Sequence, residues 1–325
     1  MGLPLDILNF FNVSNAKIGI NGGVPHTVSE FVSGRTDIDY LEVSRICKRF
    51  ENEGLLVYCG NKTETPLTGD SYYNFGINKK LAADGSYDFL INGFLSIRNH
   101  FANSVRPVIV KKRDDDPTIG TCFVIGKNCI VTAFHCIEEM EYIKIPHSED
   151  NYVKAKRIWT PNDIRKDIAF IELENAPFSD IPHFKIGRGE ILDQVLTMGY
   201  PQVPVFDAIQ LAEIVTINTT IKSSTGSIVG KDKSYLDGQE YFLINAKVKG
   251  GNSGGPIIDK LGRVVGMLIQ IPADPDDNKK LDVLGYGIAI PGVEIVKIFR
   301  QIIDGDNAEI KNIKFQNLTE GFSTL

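Results

Sequence analysis

From residue 105 onward the apolar residues come in short bursts, at 108–110, 122–125, 129–133, 168–173 and 195–198, with glycine, proline, asparagine or aspartate around them. More follow at 212–217, 241–244 and 264–271. Bursts of this length between turn-forming residues are strand-and-turn patterning, so the body of the chain is expected to be mainly β. Gly126-Lys127-Asn128 reads as a tight turn between two of them, which puts His135 just past a hairpin strand. Only at 293–303 does the pattern become helical, with Ile295, Val296, Phe299, Ile302 and Ile303 apolar.

Three polar residues stand out against this β background. Residues 251–256 read GNSGGP, residues 132–136 read TAFHC and residues 167–173 read DIAFIEL. A serine hydroxyl is a weak nucleophile until an imidazole takes its proton, and the imidazolium then needs a carboxylate beside it. In that scheme Ser253 attacks a carbonyl, His135 shuttles the proton and Asp167 orients the ring. Glycines flank Ser253 because backbone N–H groups must converge on the oxygen that becomes negative; the amides of Gly251 and Ser253 are the expected oxyanion hole. The same segment also fits G-x-S-x-G, the nucleophile elbow whose triad runs serine, acid, histidine. The five histidines are His26, His100, His135, His147 and His183, and none follows Ser253, so that alternative fails.

With GTCFVI, IVTAFHC, RKDIAFIEL, TMGYP, GNSGGP and GIAIP in this order across 105–305, the chain resembles the trypsin-like (chymotrypsin-fold) serine peptidases, in their HtrA-like bacterial branch. The resemblance implies a chymotrypsin-like double β-barrel, with His135 and Asp167 on the first barrel and Ser253 on the second. It favours Asp167 over Asp163, which falls in the turn before the aspartate-bearing strand. It frames the primary substrate pocket with Lys247 and Val248, Met267, Leu268 and Ile269, and Gly287; Val248, Met267 and Ile269 suit an apolar side chain, whereas Lys247, if it points inward, would prefer an acidic one, and residues 273–284 are expected to form a mobile loop beside it. Asn252 stands where the digestive enzymes carry an aspartate paired to a new N-terminus, so activation by N-terminal cleavage is not expected. Their disulfide partner for Cys136 falls at Gly120, two residues from Cys122. The 306–325 tail is too short for the PDZ domain that many HtrA-like enzymes carry.

Composition sets wider bounds. At 325 residues and 42% hydrophobic the chain can bury more than one core, and no apolar run reaches the ~20 residues a membrane span needs. Five cysteines are an odd count, and the opening MGLPLDILNFFN lacks the pattern of a secretory leader, so a reducing, cytoplasmic location is expected. Cys122, Cys129 and Cys136 lie seven apart, on opposite faces if on strands, and no C-x-x-C pair exists; buried structural thiols are expected, with no metal and no cofactor.

The first hundred residues stand apart from the peptidase pattern. Residues 39–54 carry Leu41, Val43, Ile46, Cys47 and Phe50 near helical spacing, preceded by a shorter helical stretch at 27–32. Strands are expected at 55–59 and 72–77. Helix, turn, helix and hairpin is the layout of a small α+β winged-helix-like domain over 1–80, joined by an amphipathic linker helix (81–104) to a peptidase domain at 105–305. Arg35, Arg45, Lys48, Arg49 and Lys62 could meet DNA phosphates, giving a DNA-binding regulator as the alternative function. Against it, residues 1–100 hold nine basic and eleven acidic side chains. A polypeptide substrate, and a protein partner recruited or sensed by this module, are the favoured partners.

Overall fold

The computed structural model describes residues 2–19, 22–63, 65–112, 118–148, 151–161, 166–201, 208–211, 215–218, 220–234, 238–269, 285–303 and 310–313. Asp163, the expected loop at 273–284 and most of the 306–325 tail lie outside them. The chain divides into two compact units, Met1–Ser96 and Ile97–Leu325.

In the first unit, α1 (Leu3–Phe10) is followed by strand β1 (His26–Thr27), α2 (Val28–Val32) and α3 (Tyr40–Asn52). Thr27 opens α2 with a capping box: its side chain accepts from the Glu30 amide while Glu30 accepts from the Thr27 amide. Asp39 caps α3, and Val43, Ile46, Cys47 and Phe50 face inward at the helical spacing of the sequence. Strands β2 (Val57–Asn61) and β3 (Asp70–Tyr73) complete a three-stranded sheet in the order β1-β3-β2.

Both strands of this hairpin differ from the apolar pattern, for separate reasons. The amides of Leu55 and Leu56 bond the Phe50 carbonyl and close α3, so β2 starts later than 55. Asp70 and Ser71 look like loop residues, yet they are buried in β3, where Ser71 Oγ donates to the Gly60 carbonyl and Asn61 Nδ2 donates to Asp70. Helix α4 (Ser86–Phe101) is bent at Gly93, whose φ of 73° and ψ of −170° are non-helical. It ends short of 105 because strand pairing begins there.

The second unit is two β bodies. Strands β4 (Val105–Lys112), β5 (Thr118–Gly126), β6 (Cys129–Thr132), β7 (Met140–Lys144), β8 (Ala155–Pro161) and β9 (Ala169–Leu173) form one sheet. Val108, Val124, Ile130, Ile143, Ile158 and Ile171 fill its core. The second body closes as a barrel from β10 (Gln194–Gly199), β11 (Lys222–Lys233), β12 (Glu240–Ile244), β13 (Pro256–Asp259), β14 (Val264–Ile269) and β15 (Gly287–Pro291). Val195, Ile228, Phe242, Ile244 and Val265 pack inside it. Helix α5 (Gly292–Ile303) follows, and Ile310–Ile313 returns as β16 along β8. The first sheet therefore has seven strands, ordered β16-β8-β9-β6-β5-β4-β7. Part of the segment expected as tail is thus an edge strand.

Candidate active site

Strand pairing alone brings His135 to Asp167. Strands β6 and β9 are antiparallel with Thr132 opposite Ala169, so the residues just after the first strand meet those just before the second. His135 sits there on a 3₁₀ turn, Phe134–Cys136. Asp167 Oδ2 lies 2.7 Å from His135 Nδ1, and Oδ1 accepts from the His135 amide at 2.8 Å. The carboxylate is thereby held on both oxygens and fixes the ring and its tautomer. Asp167 is buried at 4% exposure and has a φ of 28°, a left-handed value for a non-glycine residue. Strain of that kind persists only where the surroundings over-determine it.

Burial works against a charge on His135, yet the hydrogen bond to Asp167 and the neighbouring Cys136 sulfur outweigh it and raise the imidazole above its ordinary value.

The Ser253 loop is fastened to the same sheet by Thr121 of β5. The Thr121 amide donates to the Ser253 carbonyl at 2.9 Å, and its hydroxyl donates to the Gly251 carbonyl at 2.6 Å. On the barrel side the Gly254 amide donates to Leu268 O and the Leu268 amide to Gly255 O. This close approach is what the glycines allow. Gly254 has a φ of +80°, and a Cβ there would lie 2.1 Å from the Thr121 carbonyl oxygen. Replacing Gly254 by Ala is therefore expected to destabilise the fold by about 3 kcal/mol, read as a fall in the urea midpoint. An unchanged midpoint would mean that the loop is not pinned as described.

Neither the Gly251 nor the Ser253 amide donates to any partner among the described residues. The Ser253 hydroxyl makes no hydrogen bond to His135 among these residues. Instead the Cys136 sulfur lies 3.6 Å from His135 Nε2 and 3.7 Å from the Ser253 carbonyl oxygen, so one thiol touches both residues.

The expected pocket residues divide. Lys247 is exposed, and Gly287 is buried where a Cβ would come 2.8 Å from Val248. Met267 and Leu268 are corrected: at 0% and 3% exposure, with Leu268 in the barrel core, neither offers a substrate any surface, because β14 is covered on both faces. Ile269 is buried at the end of β14.

Cys136 Sγ faces Gly120, where a Cβ would sit 2.8 Å from it, and all five cysteines are free thiols. Cys122 is buried, Cys129 and Cys136 partly so, and Cys59 is exposed. Burial pushes the Cys129 thiol up to about 12. Among the described residues no group of His, Cys, Asp and Glu could hold a metal. Thr121 escaped the sequence reading and Cys136 was expected only as a structural thiol; a threonine within an apolar strand run was the available signal for the first.

An imidazole held by a buried carboxylate, with a glycine-framed serine loop tied to the same sheet, is the arrangement of residues that a serine hydrolase of chymotrypsin-like fold requires. Residues 120–267 match the family model of the trypsin-like peptidase domain. Among curated relatives, a probable periplasmic serine endoprotease DegP-like of Buchnera aphidicola subsp. Schizaphis graminum is 28% identical over 188 residues, covering 57% of this chain and 35% of that protein. The periplasmic serine endoprotease DegP of Escherichia coli K12 is 26% identical over 186 residues, with the same coverages of 57% and 35%. The chain thus matches about a third of the length of these relatives. Among solved structures, the active form of the Rv3671c protease from M. tuberculosis is 19% identical with a TM-score of 0.49, covering 63% of this chain and 83% of that one.

Proposed function

We propose that this chain is a serine endopeptidase of HtrA-like type, cleaving polypeptides through an acyl-enzyme. Ser253 attacks the scissile carbonyl while His135 takes its proton, the amides of Gly251 and Ser253 receive the oxyanion, and water then releases the acyl group. The observation that carries this reading is the 2.7 Å contact of Asp167 with His135 Nδ1, beside a Ser253 loop fastened to the same sheet. It is tested by reaction with a serine-directed fluorophosphonate. Label mapped to Ser253 and lost in His135→Ala supports it; label elsewhere, or label indifferent to His135, refutes it.

The raised imidazole fixes a pH dependence whose sign differs between stability and rate. The His135⁺–Asp167 pair stabilises the fold in full below the unfolded imidazole value of about 6.5, and that contribution is lost as pH rises through the raised folded value. Catalysis needs the neutral ring, so kcat/KM is expected to rise with pH through an acid limb centred above about 6.5. A limb centred below that value, in a pH–rate profile on a peptide substrate, would contradict the pairing.

The first unit is read as a winged-helix-like recruiter or sensor, on the strength of its helix pair and three-stranded sheet. Val248 beside Gly287 supports an apolar residue before the cleaved bond. Five unpaired thiols support a reducing, cytoplasmic location, in contrast to the periplasm in the names of the DegP relatives.

A further inference from the structure

Glu42, Arg45, Ile46 and Arg49 recur at helical spacing, so they lie along one side of α3. They line a groove of about 310 Å³ whose other walls include Leu3 of α1 and Ile91 of α4, all within the first unit. A volume near 300 Å³ is at the lower end of what ligand sites occupy. Ile46, 5% exposed, gives it an apolar floor.

The charged side chains around this floor are exposed to solvent and make no ion pair with one another. Lys48, on a neighbouring face, pairs with Glu51 at 2.9 Å, whereas Glu42, Arg45 and Arg49 make no ion pair among the described residues. Even the Glu42–Arg45 pair that an (i, i+3) spacing permits is not formed. An aliphatic acid would satisfy the arginines and leave Glu42 facing an anion. A ligand that satisfies all three must carry both signs.

Helix geometry sets its length. The midpoint of Arg45 and Arg49 lies five residues beyond Glu42, about 7.5 Å along the axis at about 1.5 Å per residue. One extended residue spans about 3.5 Å and two about 7 Å, so a dipeptide matches this backbone spacing more closely than a free amino acid does. We propose that this groove binds a dipeptide with apolar side chains, its carboxylate on Arg45 and Arg49, its ammonium on Glu42 and a side chain over Ile46 and Ile91. Short peptides are the product class of peptide hydrolysis, so a sensor role for the unit follows from the proposed function, while the binding itself does not depend on it.

The test is calorimetric titration of Leu-Leu into the full chain carrying Ser253→Ala, which leaves the ligand uncut. Saturable binding at one site is expected, with N-acetyl-Leu-Leu and Leu-Leu amide each about tenfold or more weaker, because each lacks one charged hydrogen-bonded end. Arg45→Ala with Arg49→Ala abolishes binding, and Glu42→Gln weakens Leu-Leu but not the acetylated peptide. No saturable heat up to about 10 mM, or equal binding of the blocked peptides, overturns the proposal. The blocked peptides need no change to the groove, so the result stands if an arginine variant misfolds. Dipeptide binding by a chain whose Ser253 does not react with fluorophosphonate would sink the peptidase reading and leave this site intact.

Discussion

Replacing Ser253 by Ala is expected to cut peptide turnover by about a millionfold while leaving the fold unchanged. The size follows from how triad members act: once the nucleophile is gone, imidazole and carboxylate have no proton to move, and only the oxyanion donors and substrate binding remain. Structure gives a reason to expect an intact fold. The Ser253 loop is held by backbone bonds from Thr121 and Leu268, and the Ser253 hydroxyl itself makes no hydrogen bond among the described residues. Single-turnover cleavage of a denatured polypeptide, with circular dichroism as the control, reads both halves. Activity within tenfold of the parent chain would remove Ser253 from the mechanism.

Asp167→Asn is expected to lower kcat by about 10⁴-fold. Both carboxylate oxygens accept from His135, one from the ring and one from the amide, and an asparagine can offer only one acceptor. With the amide nitrogen turned to the ring, His135 presents the wrong tautomer to Ser253. The same substitution removes the partner that raises the imidazole, so the acid limb of the pH–rate profile is expected to shift down. A purely structural role for Asp167 would lower stability without moving that limb, and differential scanning calorimetry beside the pH profile separates the two.

Several features of the site were legible in the chain because they are local. Glycine at 254 is dictated by a positive φ and a carbonyl 2.1 Å from any Cβ, and such a requirement writes itself into sequence as GNSGGP. The 132–136 and 167–173 segments each carry one polar residue at the end of an apolar strand, where a side chain can be both anchored and presented. Helix α3 was readable for the same reason, since its buried residues follow a single period. The start of β3 was not, because Asp70 and Ser71 are accommodated by Asn61 and Gly60, partners supplied by another strand.

What the sequence determined by itself was the inventory and its order: mainly β segments, a histidine, an aspartate and a serine at strand ends, and glycines where backbones must touch. Only the tertiary structure decided who meets whom. Register places Thr132 opposite Ala169 and so joins His135 to Asp167; Thr121 ties the Ser253 loop across to the first sheet; Cys136 faces Gly120 rather than a second sulfur; and Met267 and Leu268 go to the interior instead of a pocket. The physical reason is that propensity and period act between near neighbours, whereas pairing register and burial are settled by contacts between residues far apart in the chain.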